Sequence, residues 1–281
     1  MSGTLFVAAT PLGNLEDLST RALRILGAVA CIASEDTLRT AKLLAHFSIR
    51  TRTLSCHRFN ERQRLEPILA LLREGSDVAL VSDGGTPCVS DPGAILVRAV
   101  LAEGVPVSPV PGPSAVATLI SASGFTADRF VFDGFLPPRA GERRRRLREL
   151  ADERRTVVVY EAPHRIRPSL GDMAEVLGDR PLVLGRELTK RHETILRGTA
   201  AQILAALGAG EIKGEITIAI GRGDGVAASA FGEDRKTRVS RAWRAALKEA
   251  AGDRREALRR AARTLGMKRA ELHRYLAELD E

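Results

Sequence analysis

Clusters of polar residues follow the predicted strands of this chain, and they carry side chains that can bind a ligand or accept a proton. The clearest cluster is Asp83–Pro87, which comes directly after the apolar segment Val78–Ser82. Its two glycines let the backbone approach a ligand closely, and its proline fixes the direction of exit. Asp91 then favours the N-cap of a helix, with Pro92 in the first turn. A strand, a glycine-rich turn and a helix in this order typically bind ligands at the edge of an open α/β sheet.

Seven further polar clusters each follow or begin a predicted strand. They are Thr10–Asn14, Glu35–Arg39, His57–Asn60, Pro111–Ser114, Tyr160–Arg165, Glu187–Glu193 and Gly214–Thr217. For any one of them, a turn or a helix cap is an equally good explanation. Clusters at one edge of a sheet would converge on a common site, whereas clusters at opposite edges would not. The sequence leaves both arrangements open.

Several familiar catalytic motifs do not occur. The chain has no Walker loop, no G-x-G-x-x-G after the first strand, no H-E-x-x-H and no G-x-S-x-G. Its three cysteines, Cys31, Cys56 and Cys88, lack metal-ligand spacing, so no metal is expected. The segment Gly221–Gly225 resembles a phosphate loop, but it follows the last predicted strand and precedes a linker. We interpret it as the exit from a domain.

The order of predicted elements indicates an α/β protein with two α/β domains and a small helical module. Strands and helices alternate over residues 1–112, which predicts βαβ units and a parallel sheet. Residues 113–225 contain strands with fewer helices between them, which predicts a mixed sheet. Residues 226–240 are predicted to be a linker. Residues 241–281 contain amphipathic helices and a glycine turn, which resembles a helix-turn-helix.

Positive charge is concentrated at the end of the chain. Residues 235–281 contain 14 lysines and arginines against 7 aspartates and glutamates, a net charge of +7, whereas the whole chain carries +8. This favours an anionic partner, nucleic acid first, with a solvated helical surface as the alternative. The run Arg143–Arg146 has the same two interpretations. No apolar run suits a membrane span and no signal peptide is evident, so we expect a soluble cytoplasmic protein.

Six segments carry a family resemblance. They are TPLGNLEDLS, ASEDT, LVSDGGTPCVSDPG, PGPSA, YEAPHR and ELTKRHE, in this order within residues 4 to about 223. With them the chain resembles the tetrapyrrole-methylase superfamily of S-adenosylmethionine-dependent enzymes, and within it the ribosomal RNA small subunit methyltransferase I family. The resemblance implies two α/β domains with the cofactor between them, a homodimer, and a cytidine ribose 2′-hydroxyl of small-subunit ribosomal RNA as acceptor. Cys56–Phe59 departs from the family pattern, and Gly84 stands where alanine is usual.

Given this resemblance, thirteen residues are expected to bind S-adenosylmethionine: Pro11, Leu12, Asp83, Gly84, Gly85, Thr86, Pro87, Ser114, Ala115, Glu187, Leu188, Ile216 and Thr217. Ser114 and Ala115 begin a predicted helix, whose free N–H groups suit the carboxylate of the cofactor. Leu188 and Ile216–Thr217 would flank the adenine.

A ribose hydroxyl is a poor nucleophile at neutral pH, so the reaction needs a base or a cationic group. The candidates are Glu35, Asp36, Glu161, His164, Glu187 and Lys190, of which we favour Glu35 and Asp36. His164 could instead cap a helix. The residues expected to face RNA are Arg39, Arg143, Arg144, Arg145, Arg146, Arg165, Lys268 and Arg269, with His164 and Lys190 beside them.

Two other functions remain open at this point. One is a methyltransferase of the same fold that acts on a tetrapyrrole or a protein side chain, although such a substrate would not need the basic terminal module. The other is a non-catalytic nucleic-acid-binding regulator that uses the helix-turn-helix.

Overall fold

The computed structural model describes residues 2–222, 235–250 and 253–279. The chain divides into two compact units, Met1–Gly221 and Arg222–Glu281. The first unit contains two five-stranded sheets, and the described part of the second is helical. No helix within the described ranges is long and apolar enough to cross a bilayer.

The first sheet is entirely parallel, as predicted for residues 1–112. Its strands are β1 (Leu5–Ala8), β2 (Cys31–Ser34), β3 (Thr53–Ser55), β4 (Val78–Val81) and β5 (Val107–Val110), in the order β3-β2-β4-β1-β5. The helices between them are α1 (Thr20–Ala28), α2 (Thr37–His46), α3 (Glu61–Arg73) and α4 (Ala94–Ala102). Because all strands run the same way, the loops that follow them lie at one edge of the sheet.

Helices cover both faces of this sheet. On one face, α1 and α2 place Ile25, Leu26 and Leu44 against Ile32 and Val81. On the other face, α3 and α4 contribute Ile68, Leu72, Leu96 and Val100 to a core that also contains Leu5, Ala33 and Leu80. Burial on both faces explains why the strands are continuously apolar.

The second sheet is mixed, as predicted for residues 113–225. Its strands are β6 (Phe130–Phe135), β7 (Thr156–Glu161), β8 (Pro181–Arg186), β9 (Thr194–Thr199) and β10 (Ile216–Ile220), in the order β6-β7-β10-β8-β9. β6 and β7 are parallel, and the other neighbours are antiparallel. The accompanying helices are α5 (Ala115–Ser123), α6 (Ala140–Ala151), α7 (Ile166–Leu177) and α8 (Ala200–Ala206). The end of β7 and the start of β10 lie side by side, since Glu161 pairs with Ile216.

The four arginines of α6 have different surroundings, and this corrects one expectation. Arg143 is 3% exposed, its guanidinium lies 2.6 Å from Asp172, and it also donates to the Pro138 carbonyl. It is not available to an RNA phosphate. Arg144 shares Asp172, and Arg146 pairs with Asp133 and Glu149. Arg145 is the most exposed of the four, with 77% of its side chain exposed and Glu149 3.9 Å away.

The second unit contains α9 (Arg235–Glu249), α10 (Arg254–Leu265) and α11 (Arg269–Leu279). Gly266 ends α10 with φ 64°, the left-handed conformation that glycine adopts at helix ends. The three helices pack around Val239, Ala257, Ala261 and Leu272. The predicted linker 226–240 is therefore wrong over residues 235–240, because the helix that buries Val239 begins at Arg235. Residues 226–234 lie outside the described residues.

Candidate active site

A cavity of about 350 Å³ lies in the first unit, where the loops of both sheets meet. Five elements form it: the loops after β1, β4 and β7, the start of α5, and the segment that leads into β10. Its lining residues are Leu12, Asp83, Gly84, Gly85, Thr86, Val89, Asp91, Ser114, Ala115, Phe135, Tyr160, Glu161, Ala162, Pro163, Gly214, Glu215, Ile216 and Thr217. Most of the polar clusters of the sequence thus converge at one site, while His57–Asn60 follows the edge strand β3 and does not reach the cavity.

Nine of the thirteen residues expected at the cofactor line this cavity, as does Glu161. Of the other four, Pro11 lines a second cavity of about 270 Å³, which also contains Leu12 and Asp83. Pro87, Glu187 and Leu188 line neither cavity. The position of Leu188 follows from close packing, because a Cβ on Gly185 would come within 2.8 Å of its side chain.

Several lining residues were not predicted from the sequence. They are Val89, Asp91, Phe135, Tyr160, Ala162, Pro163, Gly214 and Glu215. Five of the eight lie inside polar clusters that the sequence had marked, so the signal existed at the level of the cluster. Phe135 and Val89 carry no such signal, and Asp91 was interpreted as a helix cap.

The loop after β4 has an unusual backbone. Gly85, Cys88, Ser90 and Gly93 all have positive φ, at 86°, 69°, 64° and 124°. Two of the four are not glycine, and such conformations are uncommon and cost energy. Hydrogen bonds hold the loop: Gly85 exchanges two backbone bonds of 2.9 Å with Thr10, and the Thr86 hydroxyl donates to the Pro113 carbonyl at 3.0 Å. The loop is therefore fixed to the ends of β1 and β5.

This geometry changes the position of Asp91. The N-cap of α4 is Gly93, and it makes no side-chain cap, so the expectation that Asp91 caps the helix is wrong. The helix starts at Ala94 because Gly93 takes the non-helical conformation that precedes it. Asp91 instead faces the cavity.

Carboxyl groups concentrate at the cavity and raise one another's pKa. Burial, with smaller contributions from Asp83 and Glu215, raises the pKa of Asp91 to about 6, although the Ser82 hydroxyl lowers it. Burial also raises the pKa of Asp83, against the effect of Arg39. The pKa of Tyr160 rises to about 12, first by burial and then by Asp91 and Glu215. No lysine or arginine of the described residues lines this cavity, so it favours a cationic ligand.

Glu35 and Asp36, the favoured bases, have different surroundings. The Asp36 carboxylate caps α2, accepting from the Leu38 and Arg39 N–H groups at 2.8 and 3.1 Å. This cap is a structural use of its lone pairs, and Asp36 lines neither cavity. Glu35 lies behind the cavity wall, where burial, Asp83 and Asp91 raise its pKa to about 7.

Glu35→Gln is expected to stabilise the protein at pH 8 and to have little effect at pH 5. A carboxyl whose pKa is raised on folding stabilises the fold below its unfolded pKa, and that contribution is lost as the pH rises to about 7. Because the group is only partly buried, we expect about 1 kcal/mol, or a rise in Tm of roughly 2–4 °C at pH 8. Thermal unfolding at both pH values checks this, with Glu74→Gln on the exposed end of α3 as control. An equal change at both pH values would contradict the prediction.

Glu161 and Arg165 form a buried network. Arg165 lies 2.7 Å from Glu161, which also accepts from the Ser169 hydroxyl at 2.5 Å and from the Ala162 N–H at 2.8 Å. Glu161 is thus held by three polar contacts, and Arg165 is its ion-pair partner. His164 is exposed and lines neither cavity.

Lys190 connects the two halves of the first unit. Its ammonium lies 2.8 Å from Glu187 and 3.3 Å from Glu215, and its aliphatic chain fills the space where a Cβ on Gly13 would stand. Burial would raise the pKa of Glu187, but bonds from Lys190 and the Glu215 N–H outweigh it and lower that pKa. Arg39 reaches Glu215 at 3.7 Å and Asp83 at 4.0 Å. The ion pair between Arg39 and Glu215 links α2 to the segment before β10, and the packing of Lys190 on Gly13 links the loop after β1 to the loop after β8.

Residues 4–204 match the family described as Tetrapyrrole (Corrin/Porphyrin) Methylases. The same fold occurs in uroporphyrin-III C-methyl transferase from Thermus thermophilus, solved with S-adenyl homocysteine, at a TM-score of 0.54 and 20% identity over 77% of this chain and 96% of that one. The fold and the match define the class: the chain is an S-adenosylmethionine-dependent methyltransferase.

Relatives of much higher sequence identity show which family of methyltransferases the chain belongs to. Ribosomal RNA small subunit methyltransferase I of Pseudomonas aeruginosa is 52% identical over 195 residues, 69% of each chain. The enzyme of the same name from Xylella fastidiosa is 50% identical over 221 residues, 78% of this chain and 81% of that one. The chain belongs to the tetrapyrrole methylase family and, within it, to the ribosomal RNA small subunit methyltransferase I family.

The cavity suits S-adenosylmethionine, which is zwitterionic in its methionine part and cationic at sulfur. Ser114, the N-cap of α5, makes no side-chain cap, so the first-turn N–H groups are available to a carboxylate. A Cβ on Gly85 would stand 3.1 Å from Leu12 and 3.6 Å from the Pro113 carbonyl, so the glycine turn leaves room that another residue would take. The Asp83, Asp91 and Glu215 carboxylates complement the positive charges.

Proposed function

We propose that the protein methylates the ribose 2′-hydroxyl of a cytidine in small-subunit ribosomal RNA. The observation that carries this proposal is its identity of 50–52% with two enzymes named for that RNA. An acidic cavity for a cationic donor and a separate basic unit for an anionic acceptor both support it. The site of action would then be the compartment that holds the ribosomal subunit, the cytoplasm.

The role proposed for the cavity is to position the donor. When bound, S-adenosylmethionine supplies an electrophilic methyl group that needs no further activation. The chain orients it through the α5 N-terminus at the carboxylate, the backbone of Gly84–Thr86, and the walls formed by Leu12 and Ile216. Alignment of two reactants accounts for several kcal/mol of a transfer barrier, roughly 7–11 in the best cases.

Asp91 is the proposed base for the acceptor hydroxyl. Four carboxylates line the cavity, and three are engaged: Asp83 with the Asp36 N–H at 3.0 Å, Glu161 with Arg165, and Glu215 with Lys190. Asp91 has no ion pair with any residue of the described ranges. Its pKa of about 6 keeps it ionised at pH 7 while leaving it basic enough to accept a proton in the transition state.

The proposed RNA contacts lie on the exposed cations. Lys268 precedes α11 and Arg269 begins it, and both are exposed. The start of the second helix is the part of a helix-turn-helix that faces the nucleic acid. Arg145 is exposed on α6, and Arg144 and Arg146 are partly exposed, whereas Arg143 is excluded by burial. Arg39 lines the second cavity and is 45% exposed.

Transfer of a tritiated methyl group from S-adenosylmethionine to small ribosomal subunits tests the function. Label in a ribose of the RNA supports the proposal. Label only in ribosomal protein, or only in an added tetrapyrrole, would overturn it in favour of another acceptor. Cofactor binding without any transfer would favour a non-catalytic regulator.

Removal of residues 222–281 is expected to weaken binding to small subunits and to lower its salt dependence. Each phosphate contact contributes about 0.9 to the slope of log K against log salt for duplex nucleic acid and about 0.7 for single strands. Loss of several contacts should lower the slope by roughly 2–4. Filter binding between 50 and 200 mM salt measures this, and calorimetry of the cofactor provides the control, because the cavity lies wholly within residues 1–221. An unaltered slope would contradict the role of the basic unit.

A homodimer is the proposed assembly, as the family resemblance implies. Two large apolar side chains lie exposed near the edge of the first sheet, Leu38 at 76% and Phe59 at 89%. A partner would bury them. Sedimentation of the purified protein at micromolar concentration tests the assembly, and Phe59→Ser should shift a dimer toward monomer.

A further inference from the structure

The second cavity, of about 270 Å³, is open and lies directly beside the first. It is bounded by the loop after β1, by α2 and by the turn after β4. Leu12 and Asp83 line both cavities, so the two cavities adjoin at these residues. A group bound in the second cavity would therefore lie next to a ligand in the first.

The two cavities differ in charge. Among the described residues, four carboxylates and no cation line the first cavity. The second is lined by one carboxylate, Asp83, and by two cations, Arg39 and Lys42, which lie three residues apart on one face of α2. Lys42 is exposed and makes no ion pair within the described ranges. Arg39 is 45% exposed, and its two carboxylate neighbours lie at 3.7 and 4.0 Å, so both cations can take an anion. The pair thus gives the second cavity the sign of charge that the first lacks.

The remaining lining is suited to the rest of a nucleotide. Leu15 is 37% exposed in a short 3-10 helix at the cavity, and Leu43 lies one residue from Lys42 on α2. The hydroxyls of Thr10 and Thr40 are already bonded, to the Ser82 carbonyl at 3.0 Å and to Ser34 at 2.5 Å. Apolar surface beside two cations matches a sugar or base joined to a phosphate.

We propose that this second cavity binds the acceptor nucleotide of the RNA, with its phosphate on Arg39 and Lys42, its base against Leu15 and Leu43, and its ribose directed toward the first cavity. The inference rests on the proposed function and adds the place of the acceptor. The charge of each cavity complements one substrate. The cationic donor binds in the acidic first cavity, and the anionic acceptor binds at the two cations of the second. Methyl transfer needs the reacting atoms within about 3–3.5 Å, so the ribose hydroxyl would reach the donor past Leu12 and Asp83, where the two cavities adjoin.

Charge reversal at Lys42 tests the proposal against a matched reversal elsewhere. Lys42→Glu and Arg24→Glu alter the net charge equally, but Arg24 is an exposed residue of α1 that lines neither cavity. Three quantities are to be measured for each variant: the Kd for small subunits in the presence of S-adenosylhomocysteine, the Kd for the cofactor, and the rate of methyl transfer. For Lys42→Glu we expect the subunit Kd to rise about 10-fold or more, in line with the loss of a charge-assisted contact, with a salt slope lower by about 1. Arg24→Glu should change the subunit Kd less than 2-fold, and both variants should keep the cofactor Kd.

Three other outcomes would contradict either the acceptor site or the proposed function. Equal weakening by both variants would mean a general electrostatic effect and would overturn the acceptor site. Loss of cofactor affinity in Lys42→Glu alone would assign the second cavity to the donor and would also overturn it. An absence of methyl transfer by the unmodified protein would instead refute the proposed function itself. Lys42→Gln, which removes the charge without reversing it, should give an intermediate Kd.

Discussion

Asp91→Asn is expected to lower the rate of methyl transfer by a factor of about 100 to 10,000, the range typical for removal of a general base. The reason is geometric: Asp91 faces the cavity and is the lining carboxylate that carries neither an ion pair nor a helix cap. Asparagine keeps the shape and removes the proton acceptor. Steady-state transfer to small subunits measures the effect, with calorimetry to show that cofactor Kd changes only a few-fold.

The pH profile separates a base from a structural residue. In the unmodified protein, kcat/KM should fall below about pH 6, where Asp91 becomes protonated. The variant should lose this limb, whereas Asp128→Asn, an exposed control, should keep it. Glu35→Gln tests the alternative base, since the pKa of Glu35 is about 7. If Asp91→Asn kept the acidic limb, or lost cofactor binding and rate in parallel, the assignment would be wrong.

Arg143→Met is expected to have the largest effect on stability. It leaves Arg144 as the remaining ion-pair partner of the buried Asp172 carboxylate within the described ranges, and removal of one partner from a buried ion pair costs about 3 kcal/mol or more. For a unit of this size that corresponds to a loss of roughly 6–12 °C in Tm. Thermal unfolding measures it, and subunit binding of the folded variant should be unchanged.

Arg145→Met is the matched control on the same helix. Its side chain is exposed and its nearest carboxylate, Glu149, lies 3.9 Å away, so we expect less than about 0.5 kcal/mol in stability. Its effect should fall on RNA affinity instead. Arg143→Met with Asp172→Leu should recover most of the stability, because an apolar pair can replace a buried ion pair. The reverse pattern, with RNA affinity lost at Arg143 and stability at Arg145, would contradict the structure.

The helical period of α6 indicates which of its four consecutive arginines is buried, whereas the charge of the run does not. Arg143, Leu147 and Leu150 are spaced at i, i+4 and i+7, and all three are buried. Four consecutive arginines point around the whole helix, so one of them must face inward. A count of charges treats the four as equivalent, whereas the period separates Arg143 from the others.

The fold class and more than half of the residues that line the first cavity could be predicted from the sequence alone. Strand and helix periods are local, and the turn residues that follow parallel strands must meet at one edge, which is why the clusters at Leu12, Asp83 and Ser114 converge. The mixed second sheet also followed from local pattern. These features depend on neighbours along the chain, and a sequence displays such neighbours directly.

Which of the polar side chains at the cavity are held by an ion pair or a helix cap became clear from the tertiary structure. Whether Asp91 caps a helix or faces a cavity depends on the backbone at Ser90 and Gly93, and whether Glu161 can accept a proton depends on Arg165 and Ser169. The charge difference between the two cavities likewise arises from residues distant in the chain. Residue types fix what chemistry is possible, but burial and partners fix which residue performs it, because both are properties of the packed molecule.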